Sequence, residues 1–164
     1  MDVIKAAALL HDIAREKQSK GLCVCHAEEG CKMAKEILDK YGFPNEKIFA
    51  VSEAIRVHRK SKGEKGASKE AQILQDADKL DALGAINIAR IMLSSACGEY
   101  KRPLHINKDL GPKSSAINFI LHQLKTQKPG TFNTETARKL AKERYEFEKN
   151  YAEQFLKEWM TELD

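Results

Sequence analysis

Apolar residues return along this chain every three or four positions, the period of a helix that buries one face. Residues 2–15 read as a first helix. Ile4, Ala7, Ala8 and His11 fall on one side of it, Asp12 lies about 100° further round, and Asp2 is placed to cap its start. Residues 16–24 are polar, include Gly21, and read as a loop. A second helix starts near His26 with a stripe of His26, Gly30, Met33, Ala34, Ile37 and Leu38. It stops at Tyr41-Gly42-Phe43-Pro44, with Gly42 as its C-terminal cap. In a third, capped by Asn45, Ile48, Val51, Ile55 and His58 stack at steps of three, four and three.

Lys60 to Lys69 interrupts the pattern as a mobile basic loop, with Arg59, Lys60, Lys62, Lys65, Lys69 and two glycines. A fourth, largely apolar helix is expected from about Glu70 to Leu93. Residues 94–113, with Gly98, Pro103, Gly111 and Pro112, read as irregular, with His105 on the surface. Ser114 or Ser115 starts a fifth helix through Ile117, Ile120, Leu121 and Leu124. Thr134 opens the last, which runs to about Leu163 with Leu140, Phe147, Tyr151, Phe155, Leu156 and Trp159 as its core stripe. There is no sustained alternation of period two and no Asn-Gly or Asp-Gly hairpin turn, so the expected fold is all-α.

Length and charge add bounds. A chain of 164 residues fits one domain, 1–164, with 94–164 as a helical extension packed on the rest. Lys and Arg number 28 against 24 Asp and Glu, a net charge of +4, which suits an anionic ligand without demanding nucleic acid. The basic residues are scattered and few aromatics are available to stack on bases, so nucleic acid is not the expected partner. The opening apolar run is too short for a signal peptide and contains Lys5. No stretch approaches the roughly 20 apolar residues of a membrane span, so a soluble, cytoplasmic protein is expected. Cys23, Cys25 and Cys31 cluster around His26, but their spacing does not suit a zinc knuckle, and reduced thiols are the expectation.

Candidate chemistry lies where the apolar faces end. His11, His26 and His58 each extend such a face, and Asp12 adjoins the first. Asp76, Asp78 and Asp81 sit in the most apolar helix, where carboxylates are costly unless a cation meets them. A His-Asp, His, His, Asp set in a helical cup offers nitrogen and oxygen ligands for one or two divalent metals. The basic loop beside it is either a solvated linker or a rim that attracts phosphate.

These stretches resemble the HD-domain metal-dependent phosphohydrolases, in particular small HD proteins related to bacterial nucleotide pyrophosphohydrolases. The resemblance rests on Leu10-His11-Asp12-Ile13-Ala14-Arg15, His26-Ala27-Glu28-Glu29-Gly30, Ile55-Arg56-Val57-His58 and, most specifically, Gln75-Asp76-Ala77-Asp78-Lys79-Leu80-Asp81-Ala82-Leu83-Gly84-Ala85. Ser114–Phe119, Thr134–Arg138 and Glu143-Arg144 extend it over most of the chain. It implies His11 and Asp12 as paired metal ligands and Asp78 as the distal one. His26 and His58 match the positions that serve a second metal, and Arg15 and Lys79 those that contact phosphate.

The reaction so implied is hydrolysis of a phosphate ester or anhydride, a nucleotide in the first instance, assisted by Mn²⁺, Fe²⁺, Mg²⁺ or Zn²⁺. Asp12 and Asp81 are its catalytic positions, Asp81 orienting a ligand or relaying a proton. The family's pattern opens with a further metal-binding histidine upstream of His-Asp. The ten residues before His11 contain none, so the chain is expected to be N-terminally shortened or its first metal site incomplete. Ala14 stands where glycine is common, and Arg15-Glu16 replace the acidic pair of some nucleotide-cleaving branches. The alternative expectation is a non-catalytic helical module that binds a nucleotide or a partner.

Overall fold

A computed structural model describes residues 3–59, 63–97, 102–104, 111 and 114–160. These residues form helices joined by turns, with no strand among them. Asp2 as a cap, His105 as a surface residue, Lys60 and Lys62 in the basic loop, most of the irregular stretch 98–113, and the end of the last helix at Leu163 lie outside the described residues. No single helix among the described residues is long and apolar enough to cross a membrane. The chain divides after Asp78 into two compact units.

In the first unit, α1 covers Val3–Leu10, α2 Arg15–Ser19, α3 His26–Lys40 and α4 Asn45–Val57, and α5, Lys69–Leu80, begins there. The first helix is shorter than its apolar pattern predicts. It unwinds at His11 into a turn closed by Ile13 N–H to the Leu10 carbonyl (3.2 Å) and Arg15 N–H to the Asp12 carbonyl (2.8 Å). Aspartate is a weak helix former, and the break falls where Asp12 stands. Helix then resumes as α2, inside the stretch that reads as a loop.

Gly42 ends α3 as predicted. Its φ is +68°, its N–H bonds the Asp39 carbonyl (2.9 Å), and Phe43 N–H reaches the Leu38 carbonyl (3.0 Å), a Schellman closure. Asn45 is the first residue of α4 and Pro44 its N-cap, one position earlier than the sequence suggests. The core joins Ala6 and Ala7 of α1, Cys31, Ala34 and Leu38 of α3, Ile48, Val51, Ala54, Ile55 and Val57 of α4, and Ala71 and Leu74 of α5. Burying a side chain such as Ile55 contributes about 1.5–3 kcal/mol, which fixes α4 and with it the position of His58.

The second unit holds α6 (Ala85–Cys97), α7 (Ala116–Thr126), a 3₁₀ turn at Pro129–Thr131 and α8 (Glu135–Trp159). The single helix expected over 70–93 is two, α5 and α6, broken between Leu80 and Ala85, and α6 runs on through 94–97, the start of the stretch that reads as irregular. Gly84 adopts φ +89°, a left-handed conformation that ends a helix and suits glycine. Its N–H does not join a helical ladder but donates to Glu148 Oε2 at 2.7 Å. Ser115 and Thr134 cap α7 and α8 by accepting from Asn118 N–H (3.1 Å) and Ala137 N–H (3.3 Å), as their positions predict.

The stripe of α8 differs from the predicted one. The buried positions are Ala137, Ala141, Glu148 and Ala152, with Tyr145, Tyr151 and Phe155 partly covered. Leu140, Phe147 and Trp159 remain 45%, 51% and 49% exposed, so bulky residues that dominate the pattern face outward. Small side chains let α8 approach its neighbours closely, and one fully buried carboxylate takes a place the pattern assigns to an apolar group. Glu148 accepts from Gly84 N–H and from Asn87 Nδ2 (3.3 Å to Oε1), and Asn87 also donates to Gln123 Oε1 (2.8 Å). Burial pushes its carboxyl up to about 6, against the opposing effect of the Gly84 and Asn87 hydrogen bonds.

Candidate metal centre

Three segments of the first unit bring acceptor atoms to one point. Asp12 stands in the turn between α1 and α2, His26 is the first residue of α3, and His58 follows the last residue of α4. Gln75 of α5 donates through Nε2 to the carbonyls of Val57 (2.6 Å) and Glu64 (2.8 Å) and so fastens the chain beside His58. His26 and His58 are 1% and 2% exposed.

The hydrogen bonds define which ring nitrogens carry protons. His58 Nδ1 lies 2.6 Å from the Ile55 carbonyl and His11 Nδ1 lies 2.8 Å from the Ala8 carbonyl. A carbonyl only accepts, so both rings are assigned as Nδ1–H. His26 Nδ1 likewise faces Gln18 Oε1, at 2.5 Å. Every Nε2 is therefore a bare lone pair in the neutral imidazole. His26 Nε2 and His58 Nε2 stand 3.4 Å apart, and they lie 3.2 and 3.7 Å from Asp12 Oδ1. That oxygen is buried and has no hydrogen-bond partner. Three acceptors thus converge with no proton among them, an arrangement that repels itself unless a cation sits within it.

The charge states agree with this reading. Asp12 is held down at about 2, first by the hydrogen bond His58 gives it when that ring carries both protons and then by the charges of Arg15, His11 and His26, with burial opposing. Its carboxyl is therefore the anion a metal needs. Burial first, then the charge of Arg15, pushes His26 down to about 4, against the pull of Asp12, so its lone pair is free at neutral pH. Two imidazole nitrogens and a carboxylate oxygen within 4.8 Å of one another are a donor set that fits a divalent metal.

The other candidate residues fall around and beyond this group. His11 stands at its edge, its ring 5.2 Å from that of His58 and its Nε2 3.8 Å from Asp12 Oδ2. Arg15 Nε lies 3.4 Å from Asp12 Oδ2, and its side chain is 61% exposed, so the guanidinium keeps donors open to an anion. Asp78 lies outside the three-residue group. Its carboxyl is pushed upward first by desolvation, with Asp12 adding to the push and His58, His11 and Arg15 opposing it; the residue keeps solvent contact, which moderates the shift.

Lys79 and Asp81 belong to the second unit and have partners there. Lys79 Nζ donates to the carbonyl and hydroxyl of Thr131 (2.6 and 2.8 Å) and lies 4.3 Å from the centre of the Phe132 ring. Asp81 is exposed and sits 3.7 Å from Arg90. Residues near the centre also escape the sequence pattern. Gln18 carries no periodic signal in a polar stretch, and Arg59, 3.6 Å from Cys25 Sγ, is merged into the basic run.

A family model described as the HD domain matches residues 1–83. The uncharacterised protein YpgQ of Bacillus subtilis is 30% identical over 160 residues, covering 95% of this chain and 72% of that protein. Among solved structures, a predicted HD-superfamily hydrolase from an uncultured Thermotogales bacterium shares 37% identity at a TM-score of 0.62, over 93% of this chain. This chain spans 65% of that one, less than two thirds of the relative's length. An HD-superfamily hydrolase from Bacillus thuringiensis shares 30% identity at a TM-score of 0.72, covering 98% of this chain and 74% of its own. YpgQ has also been solved in complex with ADP, a structure 26% identical at a TM-score of 0.61 over 95% of this chain and 84% of its own.

Proposed function

The chain belongs to the HD-domain family, and on that premise we propose that it is a metal-dependent phosphohydrolase acting on a nucleotide or a related phosphate ester or anhydride. One observation carries the reading. The buried Asp12 Oδ1 lacks a hydrogen-bond partner and faces two imidazole nitrogens whose rings carry their protons elsewhere. The hydrolase names of the Thermotogales and Bacillus thuringiensis relatives support the reaction class, and the ADP complex of YpgQ supports a nucleotide.

Asp12, His26 and His58 would hold the metal, with His11 and Asp78 as further ligands from the rim. When bound, it supplies a Lewis acid that acidifies water and neutralises phosphoryl oxygens. Asp12 contributes the negative charge of the seat, and the neutral imidazoles contribute nitrogen donors without adding charge. Arg15, held by Asp12 on one side and open on the other, offers its remaining N–H groups to a phosphate oxygen.

Purified protein supplied with Mn²⁺ is expected to release phosphate or pyrophosphate from at least one member of a panel of nucleoside di- and triphosphates and simple phosphomonoesters, and a chelator is expected to stop it. Protein that holds its metal and leaves the whole panel intact would refute the hydrolase and favour the binding module.

A further inference from the structure

The structure assigns to Gln18 the positioning of His26: it fixes which ring nitrogen faces the metal seat and so sets the site's affinity for metal. This assignment rests on the metal-centre reading above. Gln18 lies on α2, which the Lys17–Glu29 ion pair ties to α3 at 2.8 Å. Its Nε2 donates to the Val24 carbonyl at 2.7 Å. That carbonyl can only accept, so the orientation of the amide is determined, and Oε1 must be the atom facing His26 Nδ1. An amide oxygen also only accepts, so Nδ1 carries the hydrogen and Nε2 is left bare toward Asp12.

The need for a side chain here follows from the fold. His58 and His11 each find a backbone carbonyl three residues earlier for Nδ1. His26 opens its helix and has no preceding helical turn to provide one. A pull in the other direction is also present. A hydrogen on His26 Nε2 would meet the unsatisfied Asp12 Oδ1 only 3.2 Å away. Without Gln18, the metal-free protein gains a hydrogen bond by moving the proton to Nε2, and that proton occupies the seat. Gln18 holds it on the far side of the ring. An outer partner of this kind typically changes metal affinity by about 10- to 100-fold.

Two variants of the full chain separate this role from simple fastening. Gln18→Met and Gln18→Glu both lose the donor to the Val24 carbonyl, but only Gln18→Glu keeps a strong acceptor for His26 Nδ1. Long-range ¹H–¹⁵N NMR of the metal-free protein reads the tautomer directly, and calorimetry with Mn²⁺ reads affinity. The expected result is Nδ1–H for His26 in the wild type and in Gln18→Glu, with affinities within a few-fold of each other. In Gln18→Met the proton moves to Nε2, and affinity falls about 10- to 100-fold. Nε2–H in the wild type, or an equal loss in both variants, overturns the assignment. A wild type that takes up no metal at all refutes the metal-centre reading instead, and the ring spectra still decide what Gln18 does.

Discussion

Asp12→Ala is expected to abolish uptake of divalent metal, with affinity for Mn²⁺ falling by at least about 100-fold, and to remove phosphate release with it. Asp12 is the anion of the three-residue group, and its Oδ1 is the atom both buried imidazoles face. Replacing it leaves that group only two neutral nitrogens, 3.4 Å apart, with His11 and Asp78 at the rim, a weak seat for a doubly charged ion. The side chain is 36% exposed and lies in a turn rather than in the core, so the helical circular dichroism should be unchanged. Calorimetry checks the first part and a phosphate-release assay the second. Binding of Mn²⁺ by the variant within a few-fold of the wild type would remove Asp12 from the centre.

The second large effect concerns stability and pH, through Glu148. Its carboxyl is pushed from the ordinary 4.5 up to about 6 by burial. The folded state therefore holds a proton that the unfolded chain has already released between those two values. Stability from this group is fully present below about 4.5 and is lost as the pH rises through about 6, by about 2 kcal/mol. His26 works in the opposite sense. It is pushed down from 6.5 to about 4, so its contribution grows as the pH rises over an overlapping window. The two partly cancel in the wild type, which makes the difference between proteins the informative quantity. Urea denaturation from pH 4.5 to 7 is expected to show Glu148→Gln gaining about 2 kcal/mol relative to the wild type across that range, whatever its absolute stability. Parallel curves for the two proteins would mean that the Glu148 carboxyl does not hold its proton in the fold.

Much of this architecture is legible in the chain because helical burial is periodic. Ile48, Val51, Ile55 and His58 fall on one face by spacing alone, and all four are buried. Caps are legible for a similar reason: Gly42, Ser115 and Thr134 each answer a local backbone demand. What the pattern misreads depends on partners distant in sequence. Gly84 breaks the run from Glu70 because Glu148, 64 residues later, takes its N–H. The packed side of α8 is chosen by how closely its neighbours approach, which favours Ala137, Ala141 and Ala152 over the bulkier Leu140 and Phe147. The histidines of the centre extend apolar stripes and can be found that way. Gln18 cannot, since its importance lies in two hydrogen bonds and not in any periodicity.

The most direct test of the centre is anomalous scattering at the manganese edge from crystals grown with Mn²⁺. A peak is expected bonded to Asp12 Oδ1, His26 Nε2 and His58 Nε2, with each His Nδ1 still on its present partner. Metal-saturated crystals with no anomalous density among these three residues would contradict that placement.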